Sequence, residues 1–397
     1  MCTRILWNTN DHAVLAGRTM DWPESTEPVL TVFPRGIERD GGTLAGTVVD
    51  DNPLLWTSRL GSIVTTVYGA GTADGLNEAG LAAHMLYLDS TDLGPRDPGR
   101  PGLQIALWIQ YLLDRAHTVQ EALDLLDTCR LVPVELRGFR ASVHVALEDA
   151  SGDSAIVEYI EGQRQVHHDR SYTIMTNEPS YEEQLRLLRE KVRAVQGLGH
   201  DRPSSEVPLP GNVNAVDRFQ RAAYFSSLLP EPADDRQAVA GILAVTRNAS
   251  VPFGAPYREG RFHTYNTEYR TVCDLTGKRY FFELSTSPNL LWAEIDPLRP
   301  VARRSGHGAG PRPDRPRRGH LGPVHPRARA VLTGRLADRG VSAEPLTEDE
   351  MNAGRIRERS QSRWIIVWPS PSAPARSLVP HPLRSPRAER RRRRNLT

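Results

Sequence analysis

At 397 residues, 39% hydrophobic and 25% charged, the chain can build one large domain or two ordinary ones around a real core. It holds no uninterrupted apolar run of about 18 residues, which argues against a membrane-spanning helix, and three cysteines are too few for a disulfide framework. The net charge of +2 hides an asymmetry: residues 301–397 carry 22 arginines, no lysine and 8 acidic residues, so an acidic body bears a basic tail.

The first element is a hairpin. Thr3 to Trp7 is apolar and extended, Asn8 to His12 supplies turn residues, and Ala13 to Ala16 returns. Leu103, Ala106, Leu107, Ile109, Leu112 and Leu113 recur at helical spacing and predict a helix. Thr118-Val119-Gln120-Glu121 is a capping box ahead of Ala122 to Leu126: the threonine side chain caps an N–H three residues on, and the glutamate returns the bond. Ser142 to Leu147, Ala155 to Ile160 and Gln165 to His168 alternate between turns at Asp149–Asp153 and Glu161–Gly162, which predicts an antiparallel meander. His167 and His168 read as a polar pair at a strand end. With no CxxC or HExxH spacing, no metal site is expected. Tyr172 to Met175 and Tyr280 to Leu284 have the character of further core strands. A helix over Phe219 to Leu228 stops before Pro230 and Pro232, because proline cannot continue the hydrogen-bond ladder. Strand meanders flanking helices imply an α+β fold with sheets covered by helices.

After Pro297 the composition turns to Arg, Pro, Gly and His and ends in an arginine run, Arg390 to Arg394. The expected organisation is one folded domain over 1–298 and a largely disordered tail over 299–397, where Trp364 to Trp368 is the clearest apolar stretch. Such a tail can meet an anionic surface, but a nucleic-acid partner is not the favoured reading. The opening Met1-Cys2-Thr3-Arg4-Ile5-Leu6-Trp7-Asn8 lacks the order of a signal peptide, so a cytoplasmic location is expected for the chain as written; a start further upstream would make it periplasmic or secreted.

Chemistry concentrates at the beginning. Once Met1 is removed, Cys2 carries a thiol nucleophile and a free α-amine. An α-amine titrates at roughly 7.7–8.0, so it can take a proton near neutral pH where a lysine would stay charged. Nucleophile and base then share one residue. The hairpin returns Arg18 and Asp21 beside Cys2. A guanidinium near sulfur favours the thiolate, and a carboxylate near the amine can orient it.

Met1-Cys2-Thr3-Arg4 together with Gly17-Arg18-Thr19-Met20-Asp21-Trp22 resembles the choloylglycine hydrolase family, which includes penicillin V acylases and bile salt hydrolases. The resemblance continues through Asp74-Gly75-Leu76-Asn77-Glu78-Ala79-Gly80-Leu81, Met175-Thr176-Asn177-Glu178-Pro179, Leu209-Pro210-Gly211, Asp217-Arg218-Phe219, Arg247-Asn248-Ala249-Ser250-Val251-Pro252 and Ser287-Pro288-Asn289. It spans roughly residues 1–296 and is nearest to the penicillin V acylase branch common in Gram-negative bacteria. The closing segment that the family carries after this point is not recognisable here.

The resemblance implies a four-layer αββα sandwich of the N-terminal nucleophile type, needing no cofactor, and a homotetramer as in relatives. It implies Cys2 as nucleophile and base, Arg18 and Asp21 as its activators, Asn177 as an oxyanion donor through its side-chain amide, the Tyr87 backbone N–H as the second donor, and Arg218 completing the polar network. Trp22 and Tyr87 are the candidate walls of an acyl pocket; nothing in the sequence places Trp56 or Tyr68 there. Bile salt hydrolases tend to show Asn where this chain has Tyr87, which favours a penicillin V-type or N-acyl homoserine lactone substrate over a conjugated bile salt. The other alternative is a catalytically idle ligand-binding member of the fold. Asn77, Glu78 and Gly80 read as turn chemistry between core strands, and the sequon Asn248-Ala249-Ser250 as structural.

Overall fold

The computed structural model describes residues 1–43, 48–136, 139–256, 264–287 and 289–295. The tail expected to be disordered, with Trp364 to Trp368 and Arg390 to Arg394, lies outside the described residues. From the amino end, β1 (Cys2–Trp7) and β2 (Leu15–Trp22) form the expected hairpin. Of the strands that follow before the first helix, four enter the large sheets: β3 (Val29–Phe33), β4 (Ser62–Val67), β5 (Gly71–Asn77) and β6 (Ala82–Tyr87). Helices α1 (Trp108–Arg115) and α2 (Val119–Leu125) lead to the meander β7 (Val143–Glu148), β8 (Ser154–Ile160) and β9 (Gln163–His168). A short β10 (Ile174–Met175) precedes α3 (Tyr181–Gly197), α4 (Ala215–Ser226) and α5 (Asp235–Asn248). Strands β11 (Thr264–Asp274), β12 (Arg279–Leu284) and β13 (Leu290–Glu294) complete the described fold.

These strands make two antiparallel sheets. The first runs β10-β1-β2-β11-β12-β13, with Ala255–Pro256 paired to β11; the second runs β9-β8-β7-β6-β5-β4-β3. Helices α4 and α5 pack on the outer face of the first sheet, and α1 and α2 on the outer face of the second. This is the four-layer αββα arrangement. Side-chain alternation along a strand lets each sheet bury both faces. On β1 the burial is complete from Cys2 to Trp7.

The outer layer of the second sheet is a plain apolar core of Val64, Leu103, Ile109, Leu112, Leu113, Val145 and Val157. Helix α5 sits directly on β2. A Cβ at Gly17 would lie 2.1 Å from Thr246 Oγ1, so only glycine lets helix and strand approach this closely at that point.

Several boundaries differ from those the sequence suggests. The helix expected to begin near Leu103 begins at Trp108, because Gly102–Gln104 pairs in parallel with Arg130–Val132 and Ile105–Leu107 is a 3₁₀ turn. The threonine half of the capping box forms, with Thr118 Oγ1 accepting from Glu121 N–H; the glutamate bonds His117 N–H instead of returning to Thr118. Helix α4 starts at Ala215, earlier than expected, because Asn214 caps it by accepting from Asp217 N–H. The strand expected over Tyr172 to Met175 is reduced to Ile174–Met175. The turn after β5 is as expected: Asn77 Oδ1 accepts from Ala79 and Leu81 N–H, and Gly80 takes φ +93°. His167 and His168 end β9, where His168 Nε2 meets Asp153 Oδ2 at 2.8 Å.

Candidate active site

Cys2 opens β1, which lies between β10 and β2 in the first sheet, opposite Met20 on β2. Its thiol is buried between the sheets. Arg18, on the same face of β2, sets Nη2 3.7 Å from Cys2 Sγ, and Met20 Sδ is also 3.7 Å from that sulfur. Carbonyl oxygens hold the guanidinium in place: Nη1 donates to Ala73 at 3.0 Å and Nη2 to Met85 at 2.9 Å. Burial opposes the Arg18 charge, but the Asp74 carboxylate and the Cys2 sulfur favour it, and the arginine is held firmly protonated.

Asn177, just after β10, gathers the polar groups around the backbone of Cys2. Its Oδ1 accepts from Cys2 N–H at 2.7 Å and from Arg218 Nη2 at 2.8 Å. Its Nδ2 donates to the Tyr87 carbonyl at 2.6 Å. Arg218, fully buried on α4, also donates to the Cys2 carbonyl at 2.7 Å and lies 3.3 Å from Asp21 Oδ2. Asp21 accepts from Thr267 at 2.6 Å and Thr19 at 3.1 Å. Met1 is still attached, so the Cys2 nitrogen is here a peptide N–H. The Met1 ammonium bonds the Asp21 carbonyl, and burial lowers its pKa.

The loop carrying Asn177 is itself braced. His144 Nε2 contacts the Thr176 carbonyl at 2.9 Å, and its Nδ1 faces Glu158 at 2.8 Å. Glu158 also accepts from the first N–H of α3, that of Tyr181, at 3.0 Å. A buried imidazole with both nitrogens engaged fixes that loop's height above the sheet.

Five sequence candidates therefore converge: Cys2, Arg18, Asp21, Asn177 and Arg218. Tyr87 ends β6 against Asn177, and its ring meets Trp22 edge-on at 5.5 Å. Trp22 Nε1 donates to Tyr68 OH at 2.7 Å, which adds Tyr68 to this aromatic wall. Trp56 is elsewhere; it lies on the outer side of the second sheet and donates to Asp114 at 2.8 Å. Sequence reasoning missed Met20, Thr19 and Thr267 as neighbours of the site. Thr267 sits on β11, whose pairing with β2 has no local signature.

A thiol at position 2, at the head of an interior strand in an αββα sandwich, defines an N-terminal nucleophile amidohydrolase. Residues 2–299 match the family described as linear amide C-N hydrolases, choloylglycine hydrolase family. The chain is 36% identical over 334 residues to penicillin V acylase of Pectobacterium atrosepticum, covering 78% of this chain and 84% of that one. It is 22% identical over 278 residues to the bile salt hydrolase/transferase of Bifidobacterium longum, covering 66% and 86%. Among solved structures, penicillin V acylase from Agrobacterium tumefaciens superposes with a TM-score of 0.65 at 39% identity, covering 74% of this chain and 86% of that one. The chain belongs to the choloylglycine hydrolase family of linear amide C–N hydrolases. It is an enzyme that hydrolyses linear amides, and Cys2 stands where such an enzyme needs its nucleophile. No helix among the described residues is long and apolar enough to cross a membrane.

Proposed function

We propose that the enzyme, once Met1 is removed, cleaves N-acyl amides through a Cys2 thioester, with an aromatic or aliphatic acyl group of the kind found in penicillin V or N-acyl homoserine lactones. The observation that carries this reading is the shared hold on one residue. Asn177 Oδ1 and Arg218 grip the backbone of Cys2 while Arg18 faces its sulfur.

Removing Met1 turns the Cys2 N–H into an amine that stays seated on Asn177 Oδ1. The amine takes the thiol proton, and the thiolate attacks the amide carbonyl. Nδ2 of Asn177 has two hydrogens. One serves Tyr87, and the other is available to the tetrahedral oxyanion, with the Tyr87 N–H as second donor. Such a donor contributes about 10²–10³ in rate. The ammonium then protonates the leaving amine, and water deprotonated by the same amine releases the acid. Trp22, Tyr68 and Tyr87 offer flat apolar area to an acyl group. The 36% and 39% identities to penicillin V acylases, against 22% to a bile salt hydrolase, support the same preference.

The test is a hydrolysis assay of the purified protein with penicillin V, glycocholate and a long-chain N-acyl homoserine lactone, with intact-mass analysis of the amino terminus. Penicillin V or the lactone should turn over, with Met1 absent and Cys2→Ser inactive. Turnover by protein that retains Met1 would refute the mechanism. A clear preference for glycocholate would refute the acyl assignment. No turnover of any of the three would place the enzyme's substrate in another class of linear amide.

A further inference from the structure

The space between the sheets, next to the nucleophile, is not simply apolar. Arg4 and Arg18 lie directly opposite each other on β1 and β2. Like charges in that position repel. Both are fully buried, so each requires a counter-charge. The second sheet supplies one to each: Glu148 on β7 lies 2.5 Å from Arg4, and Asp74 on β5 lies 3.4 Å from Arg18. Between these two carboxylates stands His84 on β6, paired across the sheet with Asp74. Its Nδ1 is 3.6 Å from Asp74 Oδ2 and its Nε2 is 2.6 Å from Glu148 Oε1. All five side chains are fully buried.

Two buried carboxylates at ion-pair distance favour the imidazolium form of His84. A neutral imidazole has one nitrogen with a lone pair, which here would face a carboxylate oxygen in a dry interior. The imidazolium instead sets a positive ring within 4 Å of both carboxylates, as ion pairs and not as hydrogen bonds. Burial works against its charge, but Glu148 and Asp74 outweigh burial and raise its pKa. The remaining titratable groups packed around this layer are Tyr269, Tyr280 and Cys273, which burial keeps neutral. Tyr280 OH donates to Asp74 Oδ1 at 2.8 Å, and Thr271 donates to Oδ2.

Three cations then stand against two carboxylates. The cluster then carries one surplus positive charge, and the member of it that touches Cys2 Sγ is Arg18, at 3.7 Å. A neutral His84 would leave the five groups balanced, and a thiolate beside them would be uncompensated. We infer that, with Cys2 as nucleophile in the reading above, His84 is a positioning residue: as an imidazolium between Asp74 and Glu148 it holds Arg18 in place through Asp74 and supplies the charge that a Cys2 thiolate balances.

Alkylation of the thiol tests this without using any substrate, so its outcome is separate from whether penicillin V is hydrolysed. The rate of iodoacetamide addition to Cys2, read from the mass of the amino-terminal peptide, is followed against pH in wild type and His84→Gln. The midpoint should rise by roughly one pH unit in the variant, as expected for removing one charge at about 10 Å in a protein interior. In parallel, ¹⁵N NMR of the His84 ring in wild type should show both nitrogens protonated at pH 7. The coupling is reciprocal, so Cys2→Ala should move the His84 titration to lower pH. An unshifted alkylation midpoint in folded His84→Gln overturns the inference. So does a neutral His84 in wild type at pH 7, or a titration indifferent to Cys2→Ala; these two readouts decide the matter if His84→Gln does not fold.

Discussion

Asp74 and Asp114 are both buried aspartates, and the protein treats them in opposite ways. Asp74 lies between the sheets. Burial pushes its pKa up, but Arg18 and His84, helped by Thr271, outweigh that and hold it down at about 2. Asp114 lies on α1 in the outer layer. It accepts from Arg39 at 3.0 Å, Trp56 at 2.8 Å and Gln110 at 2.8 Å, yet burial still prevails and its pKa is raised. The inner layer thus keeps ionised groups in a dry place beside the nucleophile. The outer layer tolerates one anchored acid in an apolar core. Burial alone does not fix the state of a carboxylate; the number of cations aimed at it does.

Four changes test that contrast. The largest effect belongs to Asn177: in the proposed mechanism Asn177→Ala removes an oxyanion donor and the seat of the Cys2 nitrogen, and should lower kcat about 10²–10³-fold in an acyl-amide assay. An activity loss below tenfold would place the oxyanion elsewhere. Next, Asp74→Asn leaves Arg18 buried without its counter-charge and His84 with Glu148 alone, and should cost about 3–5 kcal/mol at pH 7, measured by denaturant unfolding. The sign with pH is fixed by the depressed pKa. The stabilisation from Asp74 is present above the ordinary aspartate range and fades as pH falls through about 2. The wild-type advantage over Asp74→Asn should therefore shrink on acidification. Third, Leu112→Ala in the outer layer should cost about 2–5 kcal/mol through its cavity, while kcat of the folded fraction stays within about twofold of wild type; a larger drop in kcat would show that the two layers are not separable. The smallest effect is expected for Asp114→Asn, below about 1 kcal/mol at pH 7, because an uncharged isostere avoids the desolvation cost. Its pH dependence should run opposite to that of Asp74. A raised pKa contributes stability at low pH that is lost as pH rises through the folded value, so the variant should gain on wild type as pH increases.

The hairpin that carries Cys2, Arg18 and Asp21 was readable because its turn residues and alternation are local. Asn177 and Arg218 were readable only through the motifs around them, since their partner Cys2 is 175 and 216 residues away in sequence. The charge system around His84 has no local signal at all. Arg4, Asp74, His84 and Glu148 come from strands of two different sheets, and only the stacking of those sheets brings them together. Helix α5 gives no clear periodic signal in the sequence, although Asp234 caps it by accepting from Gln237 N–H. The start of α1 was misplaced because apolar residues in a short buried strand have the same composition as a helix face.

The carboxamide of Asn177 has only one tenable orientation. Its oxygen already receives two N–H groups and its nitrogen faces a carbonyl, so half a rotation would set donor against donor and oxygen against oxygen. An amine docked on that oxygen must point a hydrogen at it, which leaves the lone pair turned away. The path a proton can follow at this terminus is thereby given a direction before any ligand arrives.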